Sequence, residues 1–393
     1  MRAFFLLLLS ALYCSAAIDL GPILTNAAPG STIRLEAGVY TIVGVNESGG
    51  PNPGPQLKAG CNLIGKGPGR TIIILASPED RSLTAIWGLG GNLVSDLTID
   101  CGVTLNSTNY STSKRNGLYL QPGSKFNRAN NVHVFRPYGI FATRKEGFGI
   151  IIHGTRSAVT GCLVADPRGD YVQAFSMVGS ATVQNCQVDF PKDQAVGGGL
   201  TCFGQSSGTN ISYLNCHSSG GSAGFYYDTG DIQRVRIEGC TFSDTPVGIF
   251  FKNQYQSGLT QHVSNVSIKN NTILLAPVNS LAVGISLNNT RLDGAETTHN
   301  AGSINEVLIQ GNFFGYKPSD AVPISGNLLR RAISLTSNCT SPVKGVAGIN
   351  TVTFNGNTYQ TIPSGEPWKH RNKWSAATGV TITNEATLTI TTE

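Results

Sequence analysis

Charge is what this chain has least of. Lys, Arg, Asp and Glu together make up 13% of its 393 residues, about half the ~25% of an average soluble domain. Disordered chains are rich in charge and poor in β-branched and aromatic residues, so the deficit excludes a largely disordered protein. It also excludes a helical bundle or coiled coil, which needs Ala, Glu, Lys and Leu at a period of about 3.5 residues. Glycine does not recur at every third position, so a collagen helix is excluded too. There is no Cys-x-x-Cys or His-x-x-x-His pair, and hence no spacing that suggests zinc. No apolar run reaches the ~20 residues that a membrane span needs. What is abundant is glycine, at 47 residues, against a usual share of ~7%. With Asn, Ser and Thr also frequent, the chain reads as a large, neutral β protein.

The first residues look like an export leader. Met1-Arg2 is followed by an apolar run from Ala3 to Leu12 and by small residues up to Ala17. Residues 1–17 are expected to be a signal peptide cleaved after Ala17. A lipid anchor on Cys14 is disfavoured because Tyr13 is too bulky to precede it. Removing Arg2 lowers the net charge from +5 to +4, a slight excess that would help hold a polyanion. The expected location is outside the cell or in a periplasm. Neither a nucleic acid nor a membrane is expected as partner after cleavage, and a monomer is expected.

Eight cysteines then remain, and an even count in an exported protein suggests disulfides. Four of them argue otherwise, because they belong to a repeat. An apolar–x–Gly/Asn–Cys/Asn–x–apolar pattern reads Val159 to Val164, Val183 to Val188, Tyr213 to Ser218 and Ile237 to Phe242. It places Cys162, Cys186, Cys216 and Cys240 at one position, which Asn271, Asn312 and Asn357 take in later copies. Weaker copies lie around Leu97 and Val132. From Cys162 to Asn271 the spacings are 24, 30, 24 and 31 residues, the period of one solenoid coil with insertions. Each coil carries a further short strand opening on Gly, as at Gly139, Gly224, Gly248 and Gly284. Both segments alternate apolar and polar, as half-buried strands do.

These residues resemble the right-handed parallel β-helix, the pectin-lyase-like superfamily, over nearly the whole chain after the leader. The resemblance implies an all-β, single-stranded solenoid over residues 18–393, without a second domain. Residues 18–75 would hold an N-terminal cap and the first coils, with a short capping helix from Leu20 to Asn26. Ile33 to Tyr40 would be the opening coil, Asn62 to Gly67 the next, and residues 365–393 a C-terminal cap over the exposed strand edges. Stacked coils lie ~4.8 Å apart with like on like. The Asn column should form a hydrogen-bonded ladder. The Cys column should hold free thiols, because side chains stacked in parallel point the same way.

Exported members of this superfamily mostly cleave or modify acidic polysaccharides in a groove on the outside. The motifs of its subfamilies are absent: Asn-Thr-Asp, Asp-Asp and Gly-His-Gly, Tyr-Gly-x-Asp-Pro-His, and Trp-x-Asp-His. No catalytic residue transfers, and the fold alone does not fix function.

Stacking supplies other candidates. Counting from the leading Gly or its equivalent, the first and third residues should point inward: Ile140/Ala142, Val172/Ala174, Leu200/Cys202, Phe225/Tyr227, Ile249/Phe251 and Ile285/Leu287. The second and fourth should point outward: Phe141/Thr143, Gln173/Phe175, Thr201/Phe203, Tyr226/Asp228, Phe250/Lys252 and Ser286/Asn288. Outward aromatics suit sugar rings. Asp228 and Lys252 would be neighbours, either in a site or as an ordinary ion pair. A lyase needs a cation for the uronate carboxylate and a proton-transfer group, and Tyr226, Lys252, Arg144 and Lys145 offer these. A glycoside hydrolase needs two carboxylates, for which Asp228 with Asp231, or Asp166 with Asp170, are available. A non-catalytic glycan-binding adhesin is the third reading, and the positive charge favours the lyase. His133 and His217 fall beside the Asn/Cys column as further proton-transfer candidates. Asp166, Asp170 and Asp244 in turns could bind Ca²⁺, although Asp also suits turns for backbone reasons. Asn106, Asn210 and Asn265 begin Asn-x-Ser/Thr sites, which matter only where exported proteins are glycosylated.

Overall fold

The structure is a computed structural model. It describes residues 17–47, 54–76, 82–102, 113–123, 126–191, 199–227, 229–255, 261–276, 281–291, 302–316, 329–337, 348–360, 369–373, 377–383 and 389–392. The leader expected over residues 1–17 lies outside them except for Ala17, as do Asn106, Cys339, Trp368 and Trp374. No helix among the described residues is long and apolar enough to cross a membrane.

The chain is a right-handed parallel β-helix. Contacts divide it into two compact units, one of Met1–Ser176 with Cys186–Ala195 and one of Met177–Asn185 with Val196–Glu393. The expected helix forms at Leu20–Asn26, where Asp19 Oδ1 accepts from Gly21 N at the N-terminus and Leu20 and Leu24 are buried.

In the first unit Thr32–Arg34 pairs in parallel with Asn62–Ile64, and Gly38–Ile42 with Thr71–Leu75. These are the two opening segments read from the sequence. Further on, Leu93–Asp100 pairs with Arg128–Phe135, which pairs with Ser157–Thr160 and Leu163–Ala165. A second sheet runs Leu83–Gly88, Arg115–Leu120, Gly147–His153, with Ile86, Leu118 and Ile150 in one inward row.

The second unit repeats the scheme with three strands per coil. Gly208–Leu214, Ile232–Glu238, His262–Lys269, Ser303–Gln310, Gly348–Asn355 and Ala377–Thr383 form one parallel run. The short strands His217–Ser219, Thr241–Thr245, Thr272–Leu275, Phe313–Tyr316 and Thr358–Tyr359 form another. Gly199–Gln205, Ala223–Tyr227, Val247–Tyr255, Leu281–Arg291, Leu329–Ser337, Lys369–Lys373 and Thr389–Thr392 form the third. Strands in residues 365–393, read from sequence as a cap, thus pair in parallel with the coils before them.

The repeat motif is a strand–turn–strand unit. Its third residue takes the left-handed conformation: Asn215 at φ 51°, Gly239 at 64°, Asn270 at 53°, Gly311 at 63° and Gly356 at 62°. Gly and Asn tolerate that region best, which explains the alternation at this position. The turn aims the next residue inward. Asn271, Asn312 and Asn357 are buried there and form the expected ladder, Nδ2 of each of the first two donating to Oδ1 of the next at 2.9 Å.

The ladder continues into sulfur. Asn271 Oδ1 accepts from Cys240 N, and Cys240 Sγ accepts from Cys216 N at 3.5 Å. In the first unit Cys186 Sγ donates to Val159 O, and Cys162 Sγ accepts from Val132 N. All seven described cysteines are buried and none is in a disulfide, as the parallel stacking requires. Burial pushes the Cys202 thiol up to about 12, so it stays protonated.

A third row needs glycine for space. A Cβ on Gly224 would lie 2.5 Å from Phe242, one on Gly248 2.6 Å from Ile273 and one on Gly284 2.5 Å from Phe314. The bulky residue of each short strand fills the corner where the next strand begins. A fourth row is not visible in the composition. Asn210, Arg234, Asn265, Glu306 and Thr351 stand in register, exposed and with φ between 55° and 57°. A left-handed residue inside a strand bends it as a bulge does.

Candidate functional site

The corner rule fixes which side chains face outward in the second unit. After Gly224, Gly248 and Gly284 the inward pairs are Phe225/Tyr227, Ile249/Phe251 and Ile285/Leu287, all fully buried as expected. Tyr226, Phe250 and Ser286 stand between them in one half-buried outward row, and Lys252 with Asn288 in the next. The Tyr226 and Phe250 rings meet edge to face at 5.6 Å. Lys252 Nζ donates to Tyr226 Oη at 3.2 Å and lies 5.9 Å from the centre of its ring. Asn288 Oδ1 is a buried acceptor with no hydrogen-bond partner among the described residues. One candidate pair from the sequence, Tyr226 and Lys252, is therefore brought together. Asp228 lies outside the described residues.

Two coils depart from the expected alignment. Phe203, expected outward, is fully buried and in register with Phe225, while Gly204 takes the row of Tyr226. Phe175 in the first unit, also expected outward, is fully buried. The corner demands a small residue and not glycine as such. Cys202 occupies the register of Gly224, and Ala174 O lies 2.5 Å from where a Cβ on Gly149 would be. The residues taken to lead these strands, Gly199 and Tyr171, stand three places before the corner residues Cys202 and Ala174, and an odd offset exchanges inward and outward positions.

Arg144 and Lys145 belong to the first unit. The segment from Gly139, read as a coil strand, is a hairpin in which Ile140 and Lys145 exchange backbone hydrogen bonds of 2.8 and 2.9 Å. Phe141, Ala142, Thr143 and Arg144 form its exposed turn, with Arg144 left-handed at φ 52°. The coil strand is Gly147–His153 instead, and Ala142 is not an inward residue.

The remaining candidates are engaged elsewhere. Asp166 pairs with Arg168. Asp170 Oδ1 accepts from Phe141 N at 2.8 Å, Asp231 Oδ1 from His262 N at 2.7 Å and Asp244 Oδ2 from Ser219 Oγ at 3.2 Å. Among the described residues no three His, Cys, Asp or Glu side chains converge to hold a metal ion. His133 is half-buried in register with Thr98 and Leu163, and its burial lowers its pKa. His217 is exposed beside Thr241.

A second cluster, in the first unit, escaped the sequence reading. Val45–Asn46 pairs antiparallel with Leu83–Thr84 and so brings Glu47 against the sheet. Its carboxylate accepts from Thr84 Oγ1 at 2.6 Å and from Asn116 Nδ2, and it pairs with Lys114 at 2.6 Å. Lys114 also lies over the Phe148 ring. Beside this cluster stand three half-buried rings. Trp87 and Tyr119 are 4.2 Å apart between centres, and Tyr119 and His153 are 5.1 Å apart. Burial, and then the Glu47 charge, raise the pKa of Tyr119. The three partners of Glu47 lie 37 to 69 residues away in sequence, so no local motif announces them.

Neither a protein-family model nor a curated protein sequence matches the chain. Solved structures do match in fold. PfbA, a surface adhesin of Streptococcus pneumoniae, aligns with TM-score 0.58 and 14% identity over 96% of this chain and 91% of its own. Endo-xylogalacturonan hydrolase from Aspergillus tubingensis aligns with TM-score 0.53 and 14% identity over 93% of this chain and 94% of its own. A mutant tailspike protein of the E. coli bacteriophage HK620, in complex with a pentasaccharide, aligns with TM-score 0.61 and 14% identity over 93% and 67%. At these identities the likeness is one of fold.

Proposed function

We propose that the protein is an exported carbohydrate-active enzyme, a lyase acting on a uronate-containing polysaccharide through the outward column of its second unit. The hydrogen bond between Lys252 Nζ and Tyr226 Oη is the observation that carries this reading. An ammonium group beside a phenol supplies the two functions that β-elimination needs. Lys252 neutralises the uronate carboxylate and favours loss of the neighbouring C5 proton. Tyr226, as phenolate, takes that proton and returns it to the leaving glycosidic oxygen. The C5–H electrons become the C4–C5 double bond as the C4–O bond breaks. Phe250 gives the sugar a flat apolar support.

The hydrolase reading has less behind it. Its carboxylate pairs are used: Asp231 holds the His262 amide, Asp166 the Arg168 guanidinium and Asp170 the Phe141 amide. Proteins of this fold include a hydrolase of xylogalacturonan, an adhesin and a tailspike holding a pentasaccharide, so a glycan partner suits it.

Incubation with pectate, alginate and glycosaminoglycans, followed by ultraviolet absorbance of the unsaturated product, tests the proposal. Lys252→Ala and Tyr226→Phe should each abolish product formation. Reducing ends released without that absorbance would indicate a hydrolase. Glycan binding without turnover, unchanged in both variants, would indicate an adhesin.

A further inference from the structure

The aromatic run of the first unit needs its own account. Its rings come from three successive coil strands of one sheet, Trp87 and Tyr119 being in register. The ring centres are 4.2 and 5.1 Å apart, Trp87 tilted 53° to Tyr119 and His153 at 70° to it, His153 standing two residues beyond Ile151, the register partner of Tyr119. All three rings are half-buried, so each keeps part of its surface open to solvent. An inward aromatic would be fully buried, as Phe225 and Phe251 are in the second unit.

Polar groups border the rings. Glu47 is close enough for its charge to act on the Tyr119 hydroxyl. Asn116 Oδ1 accepts from Phe148 N at 2.8 Å while its amide holds Glu47, so the carboxylate is fixed in position. The covered Trp87 Nε1–H has no acceptor among the described residues, an unmet donor that a small tilt of the ring toward an oxygen-bearing ligand would satisfy.

We propose that Trp87, Tyr119 and His153, bordered by Glu47, form a binding platform for a neutral oligosaccharide, separate from the Tyr226–Lys252 column. Pyranose faces are apolar and stack on rings, while their hydroxyls donate to a fixed carboxylate. Charge selects neutral over acidic sugars. The only cation paired with Glu47 among the described residues is Lys114, which balances it, so a uronate would add an uncompensated negative charge. Burial lowers the pKa of His153, which keeps that ring uncharged at neutral pH.

The test titrates the full-length protein with neutral hexasaccharides (xylo-, cello-, manno- and malto-) and with oligogalacturonate. Binding is followed by calorimetry and tryptophan fluorescence. At least one neutral oligosaccharide should bind saturably. Trp87→Ala and Tyr119→Ala should each weaken it about tenfold or more, roughly 1.4 kcal/mol, with unchanged circular dichroism. Trp87→Phe keeps a ring and should retain most of the affinity while losing the ligand-dependent fluorescence change. Lys252→Ala should leave this binding intact even where it abolishes turnover, which separates the platform from the proposed lyase site. Failure of every neutral sugar to bind, binding indifferent to both alanine variants, or loss of oligogalacturonate binding in Trp87→Ala would each overturn the proposal.

Discussion

Replacing Asn312 by Ala puts the largest demand on the interior ladder. Asn312 is fully buried, and its side chain makes four hydrogen bonds. Its Nδ2 donates to Asn357 Oδ1 at 2.9 Å and to Ile268 O at 3.0 Å. Its Oδ1 accepts from Asn271 N at 3.0 Å and Asn271 Nδ2 at 2.9 Å. The variant does not strand all four partners. Asn357 Oδ1 still accepts from Asn312 N, and Asn271 Nδ2 still donates to Ile237 O. Asn271 N–H loses its acceptor in a dry interior. One orphaned donor costs about 1–3 kcal/mol, and three lost bonds cost about 0.5–1.5 kcal/mol each. Together these amount to about 2.5–7.5 kcal/mol locally.

Solenoids need not unfold in one step, so a local measurement is the right one. Amide hydrogen exchange at Asn271 and Asn312 should accelerate roughly 10²- to 10⁵-fold, since each 1.4 kcal/mol of opening free energy is about a factor of ten. Asn312→Cys should cost less, because the same column already accepts cysteine at Cys240 and Cys216. An acceleration below about threefold in the alanine variant, or equal effects of Ala and Cys, would refute the assignment of stability to the ladder.

Three further outcomes follow from the rows. Gly248→Ala places a Cβ 2.6 Å from both Gly284 O and Ile273 Cγ2; overpacking of this kind costs about 1–3 kcal/mol, and because Ile273→Ala removes that Cγ2, thermal melts should show Ile273→Ala costing less in the Gly248→Ala background than in the unmodified protein. Thr351 is exposed with a left-handed backbone at φ 56°, so Thr351→Gly should raise stability by about 0.5–1 kcal/mol in denaturant titration, whereas Thr353→Gly in the same strand should lower it. His133 has a pKa lowered by burial, so the folded state binds fewer protons than the unfolded chain; its contribution is present above the ordinary His range and is lost as pH falls through the folded pKa. His133→Gln should flatten the acid side of the stability–pH curve below about pH 6.5, and an unchanged slope would show that another group controls it.

The legibility of the chain differs from row to row. The turn row was plain, because only Gly and Asn adopt its backbone cheaply and the inward Cys/Asn follows at once. The inward alternation after Gly224, Gly248 and Gly284 was equally plain. The corner row was half legible: the geometry asks for any small side chain, so Ala174 and Cys202, expected as third inward residues, are corner residues instead, and this turns Phe175 and Phe203 inward. The hairpin at Tyr138–Gly139 and Lys145 imitated a coil strand, since it too opens on glycine and apolar residues. The row from Asn210 to Thr351 left no trace, because a left-handed bend there selects no single residue type.

Sequence alone determined the architecture of this protein: a coil period in the twenties and thirties, an Asn/Cys interior column, thiols without disulfides within it, and the outward rows that hold Tyr226 and Lys252. Local backbone preference and strand alternation suffice for that, since both act within a few residues. Tertiary structure alone decided that Arg144 sits on an exposed turn, and that Glu47, Thr84 and Asn116 share hydrogen bonds beside the Trp87–Tyr119–His153 run. Stacking places residues of neighbouring coils side by side at a separation set by the intervening loops. The chemistry of those contacts follows from register, which the order of the residues does not state.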